Sequence, residues 1–183
     1  MSTDTAGTEA VDIPAPQIVH LPSKGAIVVG VDGSPGSRAA LEAACDEAQL
    51  RGLPLAAVIV WAAPEVWVTP HLLVPSAQEM HAAAIDLARA QIHEVLAARA
   101  RRGASVAVIE LMAVSGPPPV VLERACAEAT MLVIGHRGRG AVASRLIGSV
   151  GLSAVVHAHC SVLVVRVPDD QRSEVDEHES HAT

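Results

Sequence analysis

Met131-Leu132-Val133-Ile134-Gly135-His136-Arg137-Gly138, followed after nine further residues by Gly148-Ser149-Val150, is the stretch whose reading decides the fold. A short apolar run that ends in glycine reads as a buried strand opening into a loop. Gly148-Ser149 then reads as the start of a helix. Without a Cβ, glycine lets the backbone turn sharply and come close to an anion. N–H groups at a helix N-terminus, or in a concave nest, supply hydrogen bonds and positive partial charge. One glycine would signal no more than a tight turn. The full spacing, closed by a serine, predicts a phosphate site.

Working outward, Gly25 to Val31 is a continuous apolar, mostly β-branched run, as expected of a strand covered on both faces. Ser34 reads as an N-cap with Pro35 at the first helical position of an Ala/Leu-rich helix reaching about Leu50. Gly52 and Pro54 punctuate, and Leu55 to Trp61 is a second strand. Ala62 to Pro75, which contains Trp67, reads as a loop. A long alanine-rich helix is expected from Ser76 to about Arg102, with Gly103 just past its end. A third strand is expected at Ser105 to Leu111, then a helix opened by Pro117-Pro118-Pro119 and ending near Ala129. After the glycine stretch come a helix from Gly148 to His157 and a last strand from Val162 to Arg166. Alternating strands and helices predict an α/β fold: a single doubly wound, five-stranded parallel sheet sandwiched by helices, Rossmann-like. Ligands of such sheets bind beyond the carboxyl ends of strands at a topological switch point. Asp32, Val60 and the Gly135 loop all stand at such ends.

These residues resemble the ATP-binding branch of the universal stress protein family, recognised by Gly-x2-Gly-x9-Gly-Ser/Thr. Gly135, Gly138, Gly148 and Ser149 complete the pattern. The likeness runs from about Lys24 to Arg166 and includes Gly30-Val31-Asp32-Gly33-Ser34-Pro35, Val60-Trp61 and the closing Val162-Leu163-Val164-Val165-Arg166. Ser161 stands where the family often has proline, and Gly151 where Ser or Thr often follows; neither change removes a backbone donor.

The resemblance implies nucleoside contacts at Val31, Asp32, Val60, Ile134 and Gly135. It implies phosphate contacts from the backbones of Gly138, Gly148, Ser149 and Val150, with the Ser149 hydroxyl added. Position alone also allows Asp32 to be an Asx turn or a helix cap. Arg137, Arg139 and Arg145 flank the loop and either screen phosphate charge or form a solvated face; Arg137 and Arg139 are carried as candidate contacts. His136 faces either phosphate or solvent. The implied cofactors are ATP and Mg²⁺, the ion held through the phosphates rather than by protein ligands. The implied assembly is a homodimer through the last strand, Val162 to Arg166, an apolar edge with almost no charge to guard it.

Composition bounds the alternatives. A chain of 183 residues fits one domain with an adequate core. Residues 1–23 and 167–183 carry −3 and −5 of the net −7, which leaves the middle at +1. Both segments are expected to be disordered, around a domain at 24–166. With no Tyr or Phe and only Trp61 and Trp67, the chain lacks stacking platforms for single-stranded nucleic acid. No apolar stretch reaches membrane-spanning length, and the acidic N-terminus does not read as a secretory leader. Cys45, Cys126 and Cys160 are odd in number and sit in apolar contexts, which suits reduced thiols and a cytoplasmic location.

Rival motifs fail on context. Gly138 to Ala143 satisfies Gly-x-Gly-x-x-Gly/Ala but follows the fourth strand, without the acidic residue a dinucleotide fold places about 20 positions on. No P-loop lysine occurs. His157 and His159 fall on different faces of a helix, so a metal site is not expected. No nucleophile elbow or base is recognisable, so no catalytic residue is assigned. The reading is a nucleotide-dependent stress-response binding module. The alternatives are a slow ATPase or autophosphorylating enzyme, or an interaction protein of the same fold that binds no nucleotide.

Overall fold

The computed structural model describes residues 17–18, 22–62, 75–105, 108–138 and 148–167. Strand β1 is Gln17–Ile18, β2 Ile27–Val31, β3 Leu55–Trp61, β4 Ile109–Ser115, β5 Met131–Gly135 and β6 Ser161–Val165. Helices α1 (Pro35–Arg51), α2 (Ala77–Arg101), α3 (Pro118–Ala125) and α4 (Ser149–His157) lie between them. Every strand pair is parallel, in the order β1-β4-β3-β2-β5-β6. The five full strands and their covering helices form the expected doubly wound sheet. The two-residue β1 adds a sixth member beside β4, inside the segment expected to be disordered.

The pleat of β2 separates two cores. Ile27, Val29 and Val31 pack with Leu41, Ala44, Ile92 and Leu96 of α1 and α2. Val28 packs on the other face with Val121 and Leu122 of α3, and Val150 and Ala154 of α4 join that cluster. Successive strand side chains point to opposite faces, so a run that is apolar throughout is what a sheet covered twice requires.

Helix starts follow their caps. Ser34 is extended (φ −76°, ψ 159°), and its hydroxyl accepts from Ser37 N–H at 3.1 Å, with Pro35 next. Ser76 and Glu79 close a reciprocal capping box on α2. Gly52 ends α1 in the left-handed region at φ 63°.

Three boundaries differ from expectation. The strand expected at Ser105 to Leu111 lies four residues later, because β3 pairs Leu55 with Ile109 and continues to Trp61 with Ser115. Glu110, which interrupts the apolar run, accepts hydrogen bonds from Ser23 N–H (2.8 Å) and the Ser23 hydroxyl, so its carboxylate is satisfied by the segment that leads into β2. Helix α3 stops at Ala125 rather than Ala129; Cys126 is its C-cap, and Ala127 N–H returns to Arg124 O (3.3 Å) in a tight turn. The last strand begins at Ser161 and ends at Val165, a residue earlier than expected at each end. Residues 63–74 of the expected loop, Trp67 among them, and most of both terminal segments lie outside the described residues.

Candidate functional site

Strand order reverses at β2, which has β3 on one side and β5 on the other. Connections leave in opposite directions there, and a crevice opens at the carboxyl ends. It holds a cavity of about 340 Å³ lined by the ends of β2, β3 and β5, the loop to Gly138, the first turn of α4, and Pro118 and Leu122 of α3.

Val31, Asp32, Val60, Ile134, Gly135, Arg137, Gly138, Gly148, Ser149 and Val150 all line this cavity. Arg139 and Arg145 lie outside the described residues. Val58, Val60, Leu122 and Ile134 form apolar lining, while Asp32, Arg137 and the glycine backbones are polar. A flat apolar base and a charged tail are the two parts of a molecule such lining accommodates.

The glycines do different jobs. On Gly135, a Cβ would sit 2.5 Å from Gly36 C, 2.6 Å from Gly36 O and 2.9 Å from Ser37 N. On Gly36 it would sit 2.1 Å from Arg137 O. These two glycines let the first turn of α1 press against the exit of β5. On Gly138 a Cβ would lie 2.5 Å from Asp32 Oδ2, so this loop closes over the Asp32 carboxylate. Gly148 differs, since its nearest neighbour would be His136 O at 3.8 Å and its φ is an ordinary −67°.

Gly148 N–H donates to His136 O at 3.2 Å, so this amide, read as a phosphate donor, is used inside the loop. The N–H groups of Ser149, Val150 and Gly151 have no partner within the first turn of α4 by helix geometry. His136 is buried rather than solvent-facing, and its N–H donates to Val165 O at 2.7 Å, tying the loop to β6.

Asp32 combines the two roles left open for it. Its Oδ1 accepts from Ser34 N–H at 2.9 Å, which is an Asx turn, and the residue also lines the cavity. Its N–H donates to Ser37 Oγ at 3.2 Å.

Sequence reading missed Gln91. This buried α2 side chain accepts from Gly33 N–H (3.1 Å) and donates to Ser34 O (3.2 Å) and Ser37 Oγ (2.8 Å). It holds the turn that carries Asp32. Nothing in an alanine-rich helix marks one glutamine for that task. Gly36, Pro118 and Leu122 also went unmarked, because their contribution is proximity across the fold.

Among the described residues, no three His, Cys, Asp or Glu side chains are grouped to hold a metal, and no helix is long and apolar enough to cross a membrane.

The fold and the crevice define a doubly wound α/β protein with its candidate site at the switch point. A family model described as the universal stress protein family matches residues 25–166, and the chain belongs to that family. A universal stress protein of Mycobacterium tuberculosis is 36% identical over 156 residues, covering 80% of this chain and 49% of the relative. The chain thus spans about half the length of the curated relatives it matches. A crystal structure of a universal stress protein in complex with cAMP shares 25% identity and a TM-score of 0.54, covering 85% of this chain and all (100%) of that one. A universal stress protein family structure from Burkholderia pseudomallei gives 25% identity and a TM-score of 0.54, covering 78% of this chain and 97% of that chain.

Proposed function

We propose that the protein is an ATP-binding universal stress protein, a nucleotide-dependent regulatory module of the cytoplasm. One observation carries this reading. At the switch point, an apolar pocket is joined to the first-turn amides of α4, with Asp32 and Arg137 at the same cavity. A structural relative was solved in complex with cAMP, which supports an adenine nucleotide as the ligand.

In this reading Val31, Val60 and Ile134 hold the base and Asp32 accepts from the nucleoside. The backbones of Gly138, Ser149 and Val150, with the Ser149 hydroxyl, hold the phosphates, and Arg137 offsets their charge. Backbone amides and a guanidinium suit a polyanion. Mg²⁺ would be held through the phosphates rather than by protein ligands, since Asp32 is the cavity's one carboxylate among the described residues.

Among the described residues, the cavity lining contains no lysine and no second carboxylate. Any hydrolysis is therefore expected to fall far below the roughly 1–10³ s⁻¹ of ordinary enzymes.

The protein pairs as a homodimer through β6. This strand ends the sheet, and its Val162, Leu163, Val164 and Val165 are only half-buried. The neighbouring α4 exposes Leu152, Val155 and Val156 at 59%, 57% and 64%. A symmetric pair covers both at once.

The decisive experiment analyses natively purified protein for co-bound nucleotide, then titrates stripped protein with ATP by calorimetry and follows turnover over hours. Bound adenine nucleotide with little hydrolysis is the expected result. No binding of any adenine nucleotide would overturn the reading, and fast turnover would favour the enzyme alternative. Trp61 follows Val60, and its ring lies 5.7 Å from His81, so its emission offers a second readout, with Trp61→Leu as control.

A further inference from the structure

The glycine crevice does not use the cysteines. Cys126 caps the end of α3, and Cys160 immediately precedes β6. The β5–β6 register pairs Met131 with Ser161, which brings the turn after α3 beside the start of β6. Cys126 is fully buried in the core cluster on the α3–α4 face, and Cys160 packs against the same cluster while staying partly exposed. The Cys126 thiol donates to Glu123 O at 3.3 Å, and Cys160 lies against the same cluster, near enough for its thiol to act electrostatically on Cys126. Cys45 belongs to the other cluster, across the sheet, and cannot reach either sulfur.

We propose that Cys126 and Cys160 form a redox-active dithiol that a hydroperoxide converts to a reversible intramolecular disulfide. Partial exposure makes Cys160 the attacking sulfur. Its thiolate attacks one oxygen of the hydroperoxide, the O–O bond breaks, and a sulfenic acid forms. The leaving oxygen takes a proton and departs as water or alcohol. Cys126 sulfur then attacks Cys160 sulfur, the S–O bond breaks, and hydroxide leaves with the Cys126 proton as water. Two electrons pass from the two thiols to the peroxide. Burial holds the Cys126 thiol well above the ordinary range, with the Cys160 contact adding to it. That suits a resolving thiol, inert until its neighbour is oxidised. A low-molecular-weight dithiol reverses the reaction by exchange. Cytosolic disulfides are characteristically transient and redox-sensing, so the bond is compatible with a reducing compartment.

The test treats the reduced full-length chain with hydrogen peroxide and maps it by non-reducing mass spectrometry. The expected product is two hydrogen masses lighter and carries a Cys126–Cys160 bridged peptide. Titratable thiols fall from three to one, and dithiothreitol restores them. Cys160→Ser should leave Cys126 reduced at the same peroxide dose. Cys126→Ala, folded by circular dichroism, should instead carry Cys160 over-oxidised to sulfinic acid. Chain-to-chain disulfides through Cys160, sulfinic Cys160 in the unaltered chain, a bridge to Cys45, or no oxidation of Cys160 would each overturn the proposal.

Discussion

A Cβ built on Gly135 would stand 2.5 Å from the carbonyl carbon of Gly36, so two glycines 99 residues apart meet where α1 begins and β5 ends. No side chain fits between them. The contact sets how closely the Asp32 turn approaches the glycine loop, and hence the width of the crevice.

Glycine substitutions should therefore separate fold from ligand. Gly135→Ala forces backbone apart and is expected to cost about 1–3 kcal/mol of stability, as overpacking does. Gly148→Ala meets nothing closer than 3.8 Å and keeps an ordinary φ, so its stability cost should stay below about 1 kcal/mol. If the α4 amides cradle phosphate, the added methyl should still weaken ATP by roughly tenfold or more, about 1.4 kcal/mol. Denaturant unfolding and calorimetry on both variants check this; unchanged affinity in Gly148→Ala would move the phosphates elsewhere.

Gln91→Ala removes three hydrogen bonds to the Gly33–Ser37 turn and leaves buried groups unsatisfied. The expected loss is about 1–3 kcal/mol. Nucleotide affinity should fall with it, because the turn positions Asp32. A variant as stable as the parent would show that water replaces the amide.

The apolar end of the sheet can be tested without disturbing the core. Val164 packs partly against the cluster under α4, so Val164→Lys risks the fold, whereas Val155 and Val156 are exposed. Val155→Lys with Val156→Lys should shift light scattering toward monomer at unchanged thermal midpoint. A persistent dimer would place the interface away from the α4 surface.

Burial pushes the Cys45 thiol up to about 11, with Arg99 partly offsetting it. A raised thiol stays protonated at pH 8, and the protonated form is the unreactive one. Iodoacetamide at that pH should label Cys160 first in the native protein, and Cys45 and Cys126 only on unfolding. Fast native labelling of Cys45, followed by peptide mapping, would contradict its burial.

Much of this protein is written locally. The apolar runs at Ile27–Val31, Leu55–Trp61 and Met131–Gly135 specify doubly covered parallel strands, because period and length suffice for a sheet buried on both faces. Ser34-Pro35 and Ser76 mark helix starts, because caps act within three residues. The Gly135–Ser149 spacing marks a strand end and a helix start, and both line one cavity. Strand register is not local, and so β4 lies four residues from where its own residues suggested, set by pairing with β3. Nor did the chain alone reveal why its glycines are glycines: Gly135 answers to Gly36 and Gly138 to Asp32, contacts made only when α1 docks on the sheet. The Gln91 clasp and the meeting of Cys126 with Cys160 belong to the same class. A side chain's local pattern records its own element, whereas its partner across a folded sheet is decided by packing.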